Sequence, residues 1–153
     1  MPRLARRVLE RGYFHVLNRG NHRQDIFYRR EDFCEFLELI REAQREYPVK
    51  LWGYCLMNNH WHMVVEVDRM EDLSGWIHRI CNGHVRLYHV RRKELGGGHL
   101  YQGRYKSFPI QDDVYVYQVL RYVEANQRDA GPKERAWWNG LGIGHGRACL
   151  RLK

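Results

Sequence analysis

No apolar run in this chain approaches the roughly 20 residues needed to cross a bilayer. The basic start, Met1-Pro2-Arg3-Leu4-Ala5-Arg6-Arg7, is followed by no apolar stretch of the kind found in a secretory leader. A soluble cytoplasmic protein with no membrane partner is the expectation. The cysteines, Cys34, Cys55, Cys81 and Cys149, contain no C-x-x-C pair, so neither a zinc ribbon nor a redox motif is indicated. Free, mostly buried thiols fit that setting. There is no internal repeat, low-complexity tract or linker, and 153 residues suit one domain with a real core. Acidic residues are in short supply. Lys and Arg number 26 against 18 acids, for a formal charge of +8. That favours a polyanionic partner, against the plainer reading of charge that serves solubility. Aromatic residues at 13 % tip the balance toward nucleic acid, since exposed rings stack on unpaired bases.

The segment from Gly12 to Asn18 reads as a strand, followed by a basic turn, Arg19-Gly20-Asn21-His22-Arg23. Asp32 is placed to cap a helix to about Tyr47, with Phe33, Phe36, Leu37, Ile40 and Ala43 at helical spacing and Pro48 as its breaker. Strands are expected at 50–56 and 60–67, joined by a tight turn at Met57-Asn58-Asn59. Alternation puts Trp61, Met63, Val65 and Val67 on one face and His60, His62, Val64 and Glu66 on the other. A long helix from Asp72 to about Leu95 ends at Gly96-Gly97-Gly98. A short strand ending near Ile110 and a last helix from Asp113 to about Asn126 complete the pattern. The order β-α-β-β-α-β-α predicts an α+β fold. It is a ferredoxin-like antiparallel sheet with packed helices and an added C-terminal helix. The domain is expected to span 1–131, with 132–153 a basic, glycine-containing tail.

His60 and His62 lie two residues apart on one face of a strand, roughly 7 Å apart along it, where two imidazoles can converge on one ion. Two half-buried histidines with ordinary hydrogen bonds are the bland alternative, and H-x-H needs a third ligand to rise above it. The last helix offers one. Val116, Val119, Leu120 and Val123 form its core stripe, Tyr122 falls on the flank, and Asn126 follows Tyr122 by one turn. Tyr122 is then a candidate nucleophile, and the Asn126 amide oxygen a candidate third ligand. In a chain with 10 tyrosines, a packing role for Tyr122 is the competing reading.

Several separated motifs carry a resemblance from about Tyr13 to Gly131. They are His15-Val16-Leu17-Asn18-Arg19-Gly20-Asn21, Asp25-Ile26-Phe27 with Asp32-Phe33, and Tyr54-Cys55-Leu56-Met57-Asn58-Asn59-His60-Trp61-His62. Tyr101-Gln102-Gly103-Arg104-Tyr105-Lys106-Ser107, Leu120-Arg121-Tyr122-Val123-Glu124-Ala125-Asn126 and Ala130-Gly131 follow in order. The chain resembles the REP-associated tyrosine transposases, single-tyrosine HUH (His-hydrophobic-His) enzymes that process single-stranded DNA. Two positions depart from the family pattern. Asn58 stands where Met-Pro-Asn usually precedes the first histidine, and Gln127 replaces the usual proline after Asn126.

The resemblance implies that His60, His62 and Asn126 hold a metal ion and that Tyr122 is the nucleophile. It further implies nicking and strand transfer on palindromic hairpins through a 5′-phosphotyrosine bond. Imidazoles alone suit zinc, while an amide oxygen and waters suit magnesium or manganese. The resemblance implies Mg2+ or Mn2+. Candidate DNA contacts are Arg19, Arg23, Arg104 and Lys106 for phosphates and Tyr101 and Tyr105 for bases, with Arg3, Arg6, Arg7 and the Arg91-Arg92-Lys93 run adding charge. A monomer is expected in preference to a homodimer. Two other readings stay open. One is a non-catalytic binder of structured single strands on the same fold. The other is a zinc-hydroxide hydrolase taking a third ligand from His15, His22 or Glu66.

Overall fold

Four short strands build the centre of the molecule, and burial alternates cleanly along the first of them. A computed structural model describes residues 12–92, 98–111 and 113–128, and within the last helix the side chains at 114–122. The strands are β1 (Gly12–Arg19), β2 (Lys50–Met57), β3 (His60–Val67) and β4 (Lys106–Ile110). They form one sheet in the order β2-β3-β1-β4, with every pairing antiparallel. The helices are α1 (Arg30–Glu46), α2 (Met70–Arg91) and α3 (Asp113–Arg128). This is the expected ferredoxin-like α+β arrangement with its added helix. No described helix is long and apolar enough to cross a membrane. Arg3, Arg6, Arg7, Lys93, Cys149, the 131/132 boundary and the tail after it lie outside the described residues, as does the side chain of Asn126.

The sheet separates two apolar layers. On one face Trp61, Met63, Val65 and Val67 join Phe14 and Val16 against Phe33, Phe36 and Ile40 of α1 and Leu73, Trp76, Ile77 and Ile80 of α2. Each fully buried large side chain contributes roughly 1.5–3 kcal/mol. On the other face Cys55, Val64 and Ile110 meet Val116 and Leu120 of α3 in a smaller cluster. The small layer leaves the open end of that face free for polar side chains.

Two helix boundaries differ from the sequence reading. Asp32 does not cap α1. The helix begins at Arg30, and Asp32 reaches back from its third position to accept the backbone N–H groups of Tyr28 (2.8 Å) and Arg29 (2.9 Å). The α2 helix runs from Met70 to Arg91 rather than from Asp72 to Leu95. Arg91 there pairs with Glu35 and Asp32 of α1, and the Arg92 guanidinium lies 3.0 Å over the Tyr28 ring. These two cations join the helices rather than standing free for a phosphate.

Candidate active site

The β2–β3 hairpin turns at Asn58 and Asn59, with Met57 paired to His60. Most two-residue hairpins use mirror-image turns with positive φ. Here neither asparagine has positive φ, and the turn is held from outside. The Asn58 carbonyl accepts N–H groups from Ile26 (2.6 Å) and Phe27 (3.0 Å), and the Asn59 carbonyl accepts that of Gly20 (2.8 Å). Gly20 has no room for a side chain, since a Cβ there would lie 2.2 Å from the Gln24 carbonyl oxygen. His22 and Arg23, in the same segment, adopt left-handed φ values of 51° and 58°, which non-glycine residues rarely do. A further segment ties down the neighbouring end of β1, through Asn21 N–H to Leu100 O (2.8 Å) and Gln102 N–H to Arg19 O (2.9 Å). His60 follows directly from this clamped turn.

Two side chains meet the Nδ1 atoms of the histidine pair. Asn59 Nδ2 donates to the Arg23 carbonyl (3.4 Å), which leaves its Oδ1 as an acceptor 2.6 Å from His60 Nδ1. His60 must therefore carry its proton on Nδ1. His62 Nδ1 lies 3.0 Å from His15 Nε2 on β1, and in the metal-binding tautomer its Nδ1–H would donate to that atom. The His15 and His62 ring centroids are 5.2 Å apart with planes at 20°, so the rings meet edge to edge. The Nε2 lone pairs of His60 and His62 are then free for a cation, with their ring centroids 5.0 Å apart. Burial lowers the basicity of His15 and His60, the latter with help from Arg19. His62 is pushed down to about 3, by burial first and then by His60, His15 and Arg19. Neutral imidazoles are the form a metal ion takes.

Tyr122 stands beside His62 and His15. Its ring centroid is 6.2 Å from that of His62 and 6.4 Å from that of His15, and its side chain is 55 % exposed. The flank position read from the helical wheel is the one it occupies, beside a stripe in which Val116 and Leu120 are buried. Among the described residues no group of three or more His, Cys, Asp or Glu side chains is arranged to hold a metal. Glu66 is engaged by Trp52 Nε1 (3.1 Å) and by Lys50 (3.9 Å), and His22 sits exposed on the Asn21–Arg23 turn. His15 is next to the pair, but its near nitrogen is taken by His62. None of these three side chains is placed among the described residues as a third ligand; the two imidazoles fit a divalent cation, and the side chain of Asn126 lies outside the described residues.

The proposed DNA contacts divide. Arg19 pairs with His60 across the sheet, Lys106 with Leu17 beside His62, and both are exposed. Arg104 is exposed next to Gly103, whose carbonyl accepts Asn18 Nδ2 (3.4 Å) at the same end of β1. Arg23 is exposed on the clamp. Tyr101 needs correction as a base-stacking ring, because it is buried. Its hydroxyl accepts from Trp61 Nε1 (3.1 Å) and lies 2.5 Å from His84 Nδ1. Since His84 Nε2 donates to the Ile26 carbonyl (3.1 Å), Nδ1 is the acceptor and Tyr101 the donor. Tyr105 is half-buried against the main core, its hydroxyl 3.4 Å from Ser74 Oγ on α2, on the sheet face opposite the histidines. Besides Tyr122, Phe108 stands exposed next to His15, and the sequence reading missed it. Its signal was there in β4, where Lys106, Phe108 and Ile110 alternate onto one face.

This fold has known counterparts. The structure of a REP-associated tyrosine transposase bound to a REP hairpin superposes with a TM-score of 0.65 at 16 % identity, covering 90 % of this chain and 76 % of that one. A putative transposase from Deinococcus radiodurans R1 superposes with a TM-score of 0.54 at 14 % identity, covering 79 % and 95 %. Among curated proteins no sequence matches significantly. Residues 8–126 match the family described as "Transposase IS200 like". The chain therefore belongs to the IS200-like transposases.

Proposed function

We propose that this chain nicks and rejoins single-stranded DNA at palindromic repeat hairpins, with Tyr122 as nucleophile and His60, His62 and Asn126 holding Mg2+ or Mn2+. The observation that carries the reading is the Tyr122 ring beside His62 and His15, at a histidine pair whose Nδ1 atoms both have hydrogen-bond partners, which leaves the Nε2 positions to a cation. A divalent cation bound there supplies Lewis-acid stabilisation and orientation of the scissile phosphate. The Tyr122 oxygen attacks phosphorus in line, the bond from phosphorus to the 3′ oxygen breaks, and the leaving oxygen ends as a 3′-OH after taking a proton. The 5′-phosphotyrosine ester keeps the energy of the phosphodiester. A second 3′-OH can reverse the step and join a new strand without ATP, which is covalent catalysis divided into two easier halves. Family membership and the likeness to a hairpin-bound tyrosine transposase support the choice of substrate. The Tyr122 ring lies 6.2 Å from that of His62 in the same chain, which supports a monomer over a homodimer.

The test is a 5′-labelled panel of hairpins with short unpaired feet, incubated with Mn2+ and either the wild type or Tyr122→Phe. Metal-dependent nicking lost in the variant, with binding retained, is the expected result. Binding without nicking in both proteins would instead favour the non-catalytic binder.

A further inference from the structure

The face of the sheet that carries the histidines is only partly roofed. The α3 helix covers Cys55, Val64 and Ile110, and Met57 at the hairpin turn packs against the same cluster. Beside it, on the second half of β1 and the first half of β4, Arg19, Lys106 and Phe108 are exposed. Alternation places His15, Leu17 and Arg19 of β1 and Lys106 and Phe108 of β4 on this face. Phe108 pairs directly with His15, its ring centroid 6.3 Å from the imidazole and its planes tilted by 40°. His15 in turn is 6.4 Å from the Tyr122 ring. Phe108 is nevertheless 51 % exposed.

An isolated exposed phenylalanine needs no explanation. Two exposed cations follow it toward the hairpin turn, Lys106 two residues before it on its own strand and then Arg19 beside His60. It is also one ring removed from the candidate nucleophile. An aromatic face with cations for phosphates beside it forms the elementary unit of single-strand binding. The two tyrosines that the sequence offered for that role are committed elsewhere, Tyr101 inside the core and Tyr105 on the opposite face. We propose that Phe108 is the platform on which the unpaired base next to the scissile phosphate stacks, with Lys106 and then Arg19 meeting the phosphates that run from it toward the hairpin turn. The ring then sets which phosphate is offered to Tyr122. This assignment rests on the single-strand chemistry proposed above and adds a specificity-determining residue to it.

The experiment uses footed hairpins carrying 2-aminopurine at each unpaired position in turn. The full chain bears Tyr122→Phe, so that binding is read without cleavage, and Phe108 is left as it is or changed to Ala or Trp. Wild-type protein first maps the scissile phosphate on the same hairpins. Stacking predicts a fluorescence change confined to the base beside that phosphate, lost in Phe108→Ala and kept in Phe108→Trp. Affinity for the footed hairpin should fall about 5- to 100-fold in Phe108→Ala, as loss of one stacked base requires. Affinity for a blunt hairpin should not change. A folded Phe108→Ala protein that binds the foot with wild-type affinity and an unaltered fluorescence pattern overturns the assignment. So does a variant that only lowers the thermal midpoint. Absence of nicking by the wild type would remove the parent reading, and it is seen before any Phe108 variant is compared.

Discussion

Changing Tyr101 to Phe removes one oxygen and strands two buried groups. The hydroxyl accepts from Trp61 Nε1 and donates to His84 Nδ1, and all three residues are buried. A buried polar group left without its partner costs about 1–3 kcal/mol. Two such groups put the loss near 3 kcal/mol once some relaxation is allowed. For a chain of this size that lowers the thermal midpoint by about 6–12 °C. The assay is urea or thermal unfolding of the variant beside the wild type. A double-mutant cycle with Trp61→Phe separates the hydrogen bond from packing, because removing donor and acceptor together leaves fewer orphans. Coupling of about 1 kcal/mol is expected between the two sites. Destabilisation below about 0.5 kcal/mol, or strict additivity, would refute the network. The position gives the result a functional side as well, since Trp61 lies between His60 and His62 and its indole is what Tyr101 holds.

Three further outcomes follow from the same geometry. Asn59→Ala and His15→Ala each remove the partner of an Nδ1 proton, and titration calorimetry with Mn2+ should show roughly 10- to 100-fold weaker binding; unchanged affinity would mean the tautomers are set by something else. Burial pushes His84 down to about 4, so the unfolded chain takes up the proton first as pH falls. The associated stability is complete above the ordinary 6.5 and is lost on acidification toward 4, about 3 kcal/mol in all at 1.36 kcal/mol per unit. Denaturant midpoints measured at pH 7, 5.5 and 4.5 should decline in that order, and a flat profile would contradict the assignment. Gly20→Ala drives a methyl group into the Gln24 carbonyl at 2.2 Å; nicking and stability should fall together, whereas retention of both would show that the clamp yields freely.

Periodicity carried most of the architecture. The alternation around His60 and His62 put Trp61 in the core and the imidazoles on the other face, and the helical stripe of α3 placed Tyr122 on its flank. Both follow from local geometry that a single segment determines. What the chain could not display locally was the set of partners brought from elsewhere. The Asn58-Asn59 turn is held by residues 20–27, and His62 Nδ1 is engaged by His15, 47 positions away in sequence. Tyr101 looked like a nucleic-acid ring because a basic, glycine-containing motif surrounds it. It is buried because Trp61 and His84 both need its hydroxyl, a demand invisible without the packing of β3 on α2. Phe108 was missed for the converse reason, since exposure at a strand edge depends on where α3 stops covering the sheet.

The most direct test is chemical identification of the covalent bond. Wild-type protein would be incubated with Mn2+ and a cleavable hairpin, quenched, digested with nuclease and then trypsin, and analysed by mass spectrometry. Cleavage after Arg121 and Arg128 isolates residues 122–128, with Tyr122 the only tyrosine in that peptide. The account predicts a nucleotide joined through phosphate to Tyr122. Nicking at full rate with that peptide unmodified, or with the adduct on another tyrosine, would contradict it.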